Sequence, residues 1–486
     1  MFSPSLSQLS LLLLLSSNAF AAPSPSSSSG SSMKLHRRAR HAKTAEEWGA
    51  WAKSNRDTLI AKYGGGGGGS VSKRSSGTNL LVNQNADSSF YGSIAVGTPP
   101  VSYSVVLDTG SADLWLADKD CSGCNNIPRF DYSASSTFKN TSVPFSIKYG
   151  SGAAAGTLGQ DTVQMAGFSV ESQVFAVCNQ ISDGLLDDPV SGLLGLGFET
   201  IAASKAPPFW ESLVKNGAWD QPLMSFQLTR MQNVSSATEL EAGGTFTMGF
   251  TDSSLFTGDI DYNNIPDGME TYWIQQMSSL TSQGSSISLS TATQYAAIDT
   301  GTTLVGGPSS VISQIFAQVE GAQPATGNYE GYYTFPCDTD VTVTMAFGGK
   351  SWTVSPDDFR VAEISRGECL GGFFELDTGT ETPSWIVGDT FLKNVYSVFR
   401  YNPPSVGFAQ LSSTALQMNS GNEPVPSATI GSVAAGVTAA GGSGGSTQAT
   451  NGAVSMKMTR GEGMMMMMII PVVVGLLSLG ALVPLA

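Results

Sequence analysis

Val105-Val106-Leu107-Asp108-Thr109-Gly110-Ser111 is an apolar run that ends in Asp-Thr-Gly, and Ala297-Ile298-Asp299-Thr300-Gly301-Thr302 repeats the pattern. Each copy reads as a buried strand broken at a glycine. Each is followed by more apolar residues, Leu114-Trp115 and Leu304-Val305, and by a distant apolar-apolar-Gly element. The glycine of Leu193-Leu194-Gly195 lies 87 residues after Asp108, and that of Ile386-Val387-Gly388 lies 89 after Asp299. Near-equal spacings mark an internal duplication, so the sequence predicts two similar halves. A third copy, Asp377-Thr378-Gly379, runs into Thr380-Glu381-Thr382-Pro383 and has no such element near 90 residues on. It reads as a surface turn.

Outside these motifs the patterning from about residue 80 to 411 has mostly period two. Val341, Val343, Met345 and Phe347 alternate with Thr342, Thr344 and Ala346, and Gly348-Gly349 turns the chain toward Trp352 and Val354. That is a hairpin signal. Phe246, Met248 and Phe250 alternate in the same way. Two short helices are predicted, one through Val311, Ile312, Ile315, Phe316 and Val319 to Gly321, the other from Pro208 to Gly217. The fold class is mainly β, and the 486 residues suffice for two lobes.

The formal net charge is −15, which argues against nucleic acid as the main partner. Residues 22–74 carry ten Lys and Arg against three Asp and Glu, net +7; residues 75–411 carry twelve against thirty-four, net −22. Both histidines, His36 and His41, fall in the basic leader. The acidic body therefore cannot build a Ser-His-Asp or Cys-His catalytic set, nor a His-ligated zinc site. Its acid-base chemistry has to come from carboxylates, Tyr, Lys or Cys.

The ends read as processing signals. Residues 1–21 resemble a signal peptide, with an apolar run from Leu9 to Leu15 and the small-x-small pattern Ala19-Phe20-Ala21. Residues 22–74 read as a basic propeptide, with six glycines at 64–69 and the dibasic pair Lys73-Arg74 as its cleavage site. The folded body is 75–411, with a first half to about 250 and a second from 251. Residues 412–451 read as a Gly, Ala, Ser and Thr-rich stalk that cannot form a packed core. Asn451-Gly452-Ala453, a polar spacer and the uncharged tail from Met464 to Ala486 fit a glycosylphosphatidylinositol signal over 452–486, with attachment at Asn451. A retained transmembrane helix is the alternative, though no basic residue follows the tail.

Five cysteines are present. In a secreted chain Cys121 and Cys124 can close a small loop and Cys337 and Cys369 a longer one. The C-x-x-C could instead be a redox motif, but no βαβ pattern surrounds it. Cys178 is left over in an apolar run and reads as a buried, inert thiol. Asn140-Thr141-Ser142 and Asn233-Val234-Ser235 are N-glycosylation sequons.

With both Asp-Thr-Gly copies, Phe90-Tyr91-Gly92-Ser93-Ile94, Trp115, Tyr149-Gly150-Ser151-Gly152 and Trp385-Ile386-Val387-Gly388-Asp389, the chain from about 88 to 411 resembles pepsin-like aspartic peptidases, and among them fungal secreted and lipid-anchored members. The resemblance implies a bilobal all-β fold with one catalytic aspartate per lobe, Asp108 and Asp299, and a cleft between. It implies that Thr109 and Thr300 brace the two loops, that Ser111 and Thr302 hydrogen-bond the carboxylates, and that Gly110 and Gly301 let the backbone crowd the pair. It makes residues 146–152 a mobile flap whose Tyr149 pairs with Trp115, with Gly150 and Ser151 at its tip. A carboxyl pair sharing one proton can activate water without metal, cofactor or covalent intermediate.

The function so implied is an acid-active endopeptidase on protein and peptide substrates, monomeric, inhibited by its own propeptide and by pepstatin-type compounds, and held at the membrane by a lipid anchor. The pocket implied by the family, Val106, Tyr149, Leu185, Leu186 and Leu193, favours bulky hydrophobic residues around the scissile bond. In fungal relatives that accept Lys there, the position of Ser151 is usually Asp. A peptidase that cuts at basic residues, and an inactive cell-surface binding protein on the same fold, are the rival readings.

Overall fold

In this computed structural model, residues 76–439 are described, except 125, 291–293, 377–382, 422 and 432–434. The signal peptide, the propeptide with Arg74, the histidines, Asp377, Asn451 and the apolar tail all lie outside the described residues. Among the described residues no helix is long and apolar enough to cross a membrane.

Alternation of apolar and polar residues builds the strands, and the mainly β expectation is borne out. In the first half the strands are β1 (Gly77–Gln84), β2 (Ser89–Val96), β3 (Val101–Asp108), β4 (Leu114–Ala117), β5 (Lys139–Tyr149), β6 (Gly152–Met165), β7 (Phe168–Ile181), β8 (Val190–Gly195), β9 (Leu223–Leu228) and β10 (Leu240–Met248). They belong to one 14-stranded sheet, which continues from β9 through the second-half strands Val395–Arg400, Ser405–Leu411 and Phe256–Asn264. The two halves therefore share a continuous hydrogen-bonded floor. The sequence boundary near 250 falls in the turn between β10 and Phe256–Asn264.

The duplication is visible in the register. β3 runs parallel to β8, with Asp108 opposite Gly195, and β8 runs antiparallel to β4. In the second half Tyr295–Ile298 runs parallel to Trp385–Val387, which runs antiparallel to Val305–Gly307. The apolar-apolar-Gly elements are thus the strands that flank each Asp-Thr-Gly loop. They also close it: Leu196 N–H donates to the Asp108 carbonyl at 2.7 Å, and Asp389 N–H to the Thr302 carbonyl at 2.8 Å.

Both predicted helices are present, as Phe209–Lys215 and Ser309–Phe316. Gly217 and Gly321 follow them with positive φ, as helix-ending glycines do. The predicted hairpin pairs Val343–Ala346 with Ser351–Val354, and its Gly348 has φ +118°. The largest buried side chains include Trp115, Trp210, Trp273 and Trp385.

One expectation differs. The composition places a stalk from residue 412, yet the chain does not leave the folded unit there. Residues Ser413–Gln417 form a helical turn with Ala415 buried, and Ala435–Thr438 pair as a strand with β7. Small residues bury little side-chain area, but their backbone N–H and C=O groups can still extend a sheet.

Candidate active site

β3 and its counterpart Tyr295–Ile298 end side by side, so that the two Asp-Thr-Gly turns meet across the centre of the molecule. Thr109 N–H donates to Thr300 Oγ1 at 3.1 Å, and Thr300 N–H to Thr109 Oγ1 at 3.0 Å. Each hydroxyl then reaches past the opposite turn. Thr109 donates to the Ile298 carbonyl at 2.8 Å and Thr300 to the Leu107 carbonyl at 2.6 Å. All four bonds are buried, so they hold the two loops in one geometry with little competition from water.

The carboxyls are held with matching chemistry. Asp108 Oδ1 accepts from Gly110 N–H at 2.8 Å and its Oδ2 from Ser111 Oγ at 2.5 Å. Asp299 Oδ1 accepts from Gly301 N–H at 2.8 Å and its Oδ2 from Thr302 Oγ1 at 2.7 Å. The two side chains are almost fully buried and within hydrogen-bonding reach of each other. Burial first, then the charge of Asp299 and a hydrogen bond to it, push the Asp108 carboxyl well above the usual carboxylate range, against the opposing pull of Ser111 and Gly110.

β5 and β6 form a hairpin with Tyr149 opposite Gly152, and Gly150 and Ser151 stand exposed at its tip. Trp115 Nε1 donates to the Tyr149 hydroxyl at 2.7 Å. Burial, then the charge of Asp108, raise the Tyr149 phenol, so it stays protonated. Beneath the hairpin Trp115, Phe145 and Leu193 pack with the partly buried Val106, Tyr149, Leu185 and Leu186. Val106, Tyr149, Leu185, Leu186 and Leu193 thus belong to one apolar cluster.

The remaining sequence candidates sit away from the pair. Cys121–Cys124 and Cys337–Cys369 are disulfide-bonded, with Cα separations of 5.5 and 5.0 Å. Cys178 is free and buried, and desolvation pushes its thiol up. Asn140 and Asn233 are exposed. Among the described residues no group of three or more His, Cys, Asp or Glu is arranged to hold a metal ion.

The profile of the family described as eukaryotic aspartyl protease matches residues 89–411. This chain belongs to that family. It is 42% identical to major aspartyl peptidase 1 of Cryptococcus neoformans, over 70% of this chain and 72% of that one. It is 33% identical to pepsin A of Sus scrofa, over 66% and 81%, and 32% identical to vacuolar protease A of Arthroderma otae, over 69% and 81%. The chain is an aspartic endopeptidase, a hydrolase acting on peptide substrates.

Several residues around the site carry no sequence signal. Asp113, buried among apolar neighbours, accepts from Ala203 N–H at 2.7 Å and Ser204 N–H at 3.0 Å, and so ties that loop to the first turn. Lys393, on the helical turn after Trp385–Val387, meets Asp87 at 2.7 Å and Asp358 at 3.0 Å, and Arg230 also clasps Asp358. These four charges lie far apart in the chain, and no local pattern joins them. Asp389 was legible only as part of the Trp385–Asp389 motif. It is buried, and desolvation raises its carboxyl well above the usual range despite Lys393 nearby.

Proposed function

We propose that Asp108 and Asp299 are the catalytic pair of this endopeptidase. The observation that carries the reading is the reciprocal arrangement of the two turns, in which each carboxyl accepts from a glycine N–H and from a Ser or Thr hydroxyl. The ionised partner takes a proton from a water molecule bound between them, and the water oxygen attacks the scissile carbonyl carbon. The protonated partner donates to the carbonyl oxygen as it gains negative charge. A proton then passes to the amide nitrogen, the C–N bond breaks, and the pair returns to its singly protonated state. The shared proton is a general property of aspartic proteases. It is lost as pH rises, so the enzyme is acid-active.

The wall formed by Val106, Tyr149, Leu185, Leu186 and Leu193 supports a preference for bulky hydrophobic residues at the cut. Burial of one such side chain contributes about 1.5–3 kcal/mol, enough to dominate selection. Ser151 offers no counter-charge to a buried Lys. The +7 leader and −22 body support inhibition by the propeptide near neutral pH, release in acid and a mature start at Ser75 after cleavage behind Arg74. Entry into the secretory pathway, glycans on Asn140 and Asn233 and a lipid anchor at Asn451 complete the reading.

The test is a set of substitutions. Asp108→Asn and Asp299→Asn should each abolish peptide hydrolysis with the fold intact, while Asp377→Asn leaves turnover unchanged. Normal turnover by either of the first two would falsify the site. Cleavage profiling of a peptide library decides between hydrophobic and basic preference. Failure of pepstatin to bind, with no hydrolysis of any peptide, would favour an inactive binding protein.

A further inference from the structure

The family match ends at residue 411, but the folded chain does not. Ser412 N–H donates to the Leu255 carbonyl at 3.0 Å, and its hydroxyl to the Ser254 carbonyl at 2.6 Å. Asn419 Oδ1 accepts from Arg230 N–H at 2.9 Å. The chain then crosses to the first half, where Thr429 is held on every polar side. Its N–H donates to Ser93 Oγ at 2.7 Å, its hydroxyl accepts from Leu80 N–H at 3.3 Å, and its carbonyl accepts from Ala166 N–H at 3.2 Å and Asn79 Nδ2 at 3.4 Å. Gly167 N–H donates to the Ile430 carbonyl at 2.6 Å.

Beyond this the strand Ala435–Thr438 lies parallel to β7, with Ala435 opposite Phe168 and Thr438 opposite Glu171. Ala439 N–H closes the ladder on the Glu171 carbonyl at 2.9 Å, and Ala439 is buried. Val437 packs on the main core, and the helix Phe209–Lys215 lies alongside the strand. β1 and β2 pair only at Val82–Gln84; farther along, the Asn79 side chain bridges to the Ser93 backbone, and Thr429 bonds to Asn79, Leu80 and Ser93 there.

We propose that the β7 edge at Phe168–Glu171, together with the cleft at Asn79, Leu80 and Ser93, is a strand-docking surface whose occupants are this chain's own stretches Thr429–Ile430 and Ala435–Ala439. Both stretches are part of the folded unit. The backbone supplies the affinity, since each bond named above is made by a main-chain group on at least one side, and Val437 and Ala439 supply the apolar anchors. Two consequences follow. The stretch of β7 that lies beyond its pairing with β4, and would otherwise offer unpaired N–H and C=O groups on that side, is covered. Any tether to the rest of the C-terminal chain starts after Ala439, beside β7, and not at Leu411.

Hydrogen exchange on the intact full-length chain tests this directly. The amides of Ala166, Gly167, Thr429 and Ala439 should exchange at least about tenfold slower than in an unstructured chain. Free-chain rates at Thr429 and Ala439 would overturn the proposal. In the full-length double variant Thr429→Pro/Val437→Asp, exchange at Ala166 and Gly167 should rise at least about tenfold and an added protease should cut within 421–439, with peptide hydrolysis unchanged. Unchanged protection at Ala166 and Gly167 in that variant would equally overturn it. Because neither readout depends on which residues hydrolyse peptides, the docking and the catalytic assignment fail separately.

Discussion

The carboxyl of Asp299 occupies the space that a side chain at Gly110 would need. A Cβ at position 110 would lie 2.5 Å from the Asp299 Cγ, and one at Gly301 would lie 2.3 Å from Asp108 Oδ1. Neither glycine has a positive φ. Their role is therefore close approach rather than backbone freedom: each turn can press on the opposite carboxyl only because it has no side chain there.

Gly301→Ala should consequently lower kcat/KM by at least about 100-fold, the order of loss that a misplacement near 1 Å causes. Melting temperature should fall as well, since the displaced Asp108 carboxyl is buried. Steady-state kinetics on a peptide substrate check it, and near-normal kcat/KM would mean that the pair tolerates displacement.

The threonine brace makes a separate claim. Thr300→Val keeps the shape but strips an acceptor from Thr109 N–H and a donor from the Leu107 carbonyl. Leaving buried polar groups unpaired costs about 1–3 kcal/mol each, so denaturant unfolding should show a loss of at least about 2 kcal/mol. Thr300→Ser retains the hydroxyl and should recover most of it. If Val and Ser behave alike, the hydrogen bonds contribute little.

How much of this was legible in the sequence depends on range. Asp108 and Asp299 were readable because duplication writes the same local motif twice, and the spacing to Gly195 and Gly388 announced the strand that closes each loop. Tyr149 and Trp115 needed the family resemblance, since nothing local says that a hairpin tip folds back on a tryptophan 34 residues earlier. Asp87, Arg230, Asp358 and Lys393 were invisible: each looks like a surface charge, and only the tertiary fold brings them together. The strand Ala435–Thr438 was misread as stalk because composition reports side-chain burial and is silent about backbone pairing.

Specificity can be moved at the flap. Ser151 is exposed at the hairpin tip, two residues beyond Tyr149, so an Asp there meets no packing obstacle. Ser151→Asp should raise cleavage after Lys relative to cleavage after Leu, with stability unchanged within about 0.5 kcal/mol. A library profile measured on both proteins reads the ratio. An unaltered ratio would mean that the pocket charge is set elsewhere, for which Asp187-Asp188 is one candidate.

The four-charge cluster predicts how acid acts on stability. Lys393, Asp87 and Asp358 are all nearly inaccessible to water. Burial opposes ionisation of Asp358, but Lys393 and Arg230 outweigh it and hold the carboxyl below its ordinary 3.8. A group with a depressed folded-state pKa contributes stability above its unfolded value and loses it as pH falls through the folded one. Lys393 is shifted the other way: burial works against its charge, Asp358 and Asp87 outweigh burial, and its ammonium is raised above 10.5. Its contribution is complete below pH 10.5 and lost only above, so it leaves the acid limb alone. Asp358→Asn removes the carboxylate and leaves Arg230 and Lys393 with Asp87 as the remaining close partner of Lys393. Breaking a buried pair from one side costs about 3–5 kcal/mol, and the surviving Asp87 places this case near the lower end. The expected result is a gap of about 3 kcal/mol between the proteins at pH 6, narrowing as pH falls below 3.8, where the unfolded chain takes up the proton first, and closing once the pH has fallen through the depressed folded value and the native Asp358 is neutral as well. Denaturant unfolding from pH 6 down to pH 2 measures the gap, and a gap of constant size would show that Asp358 acts through packing and not through its charge.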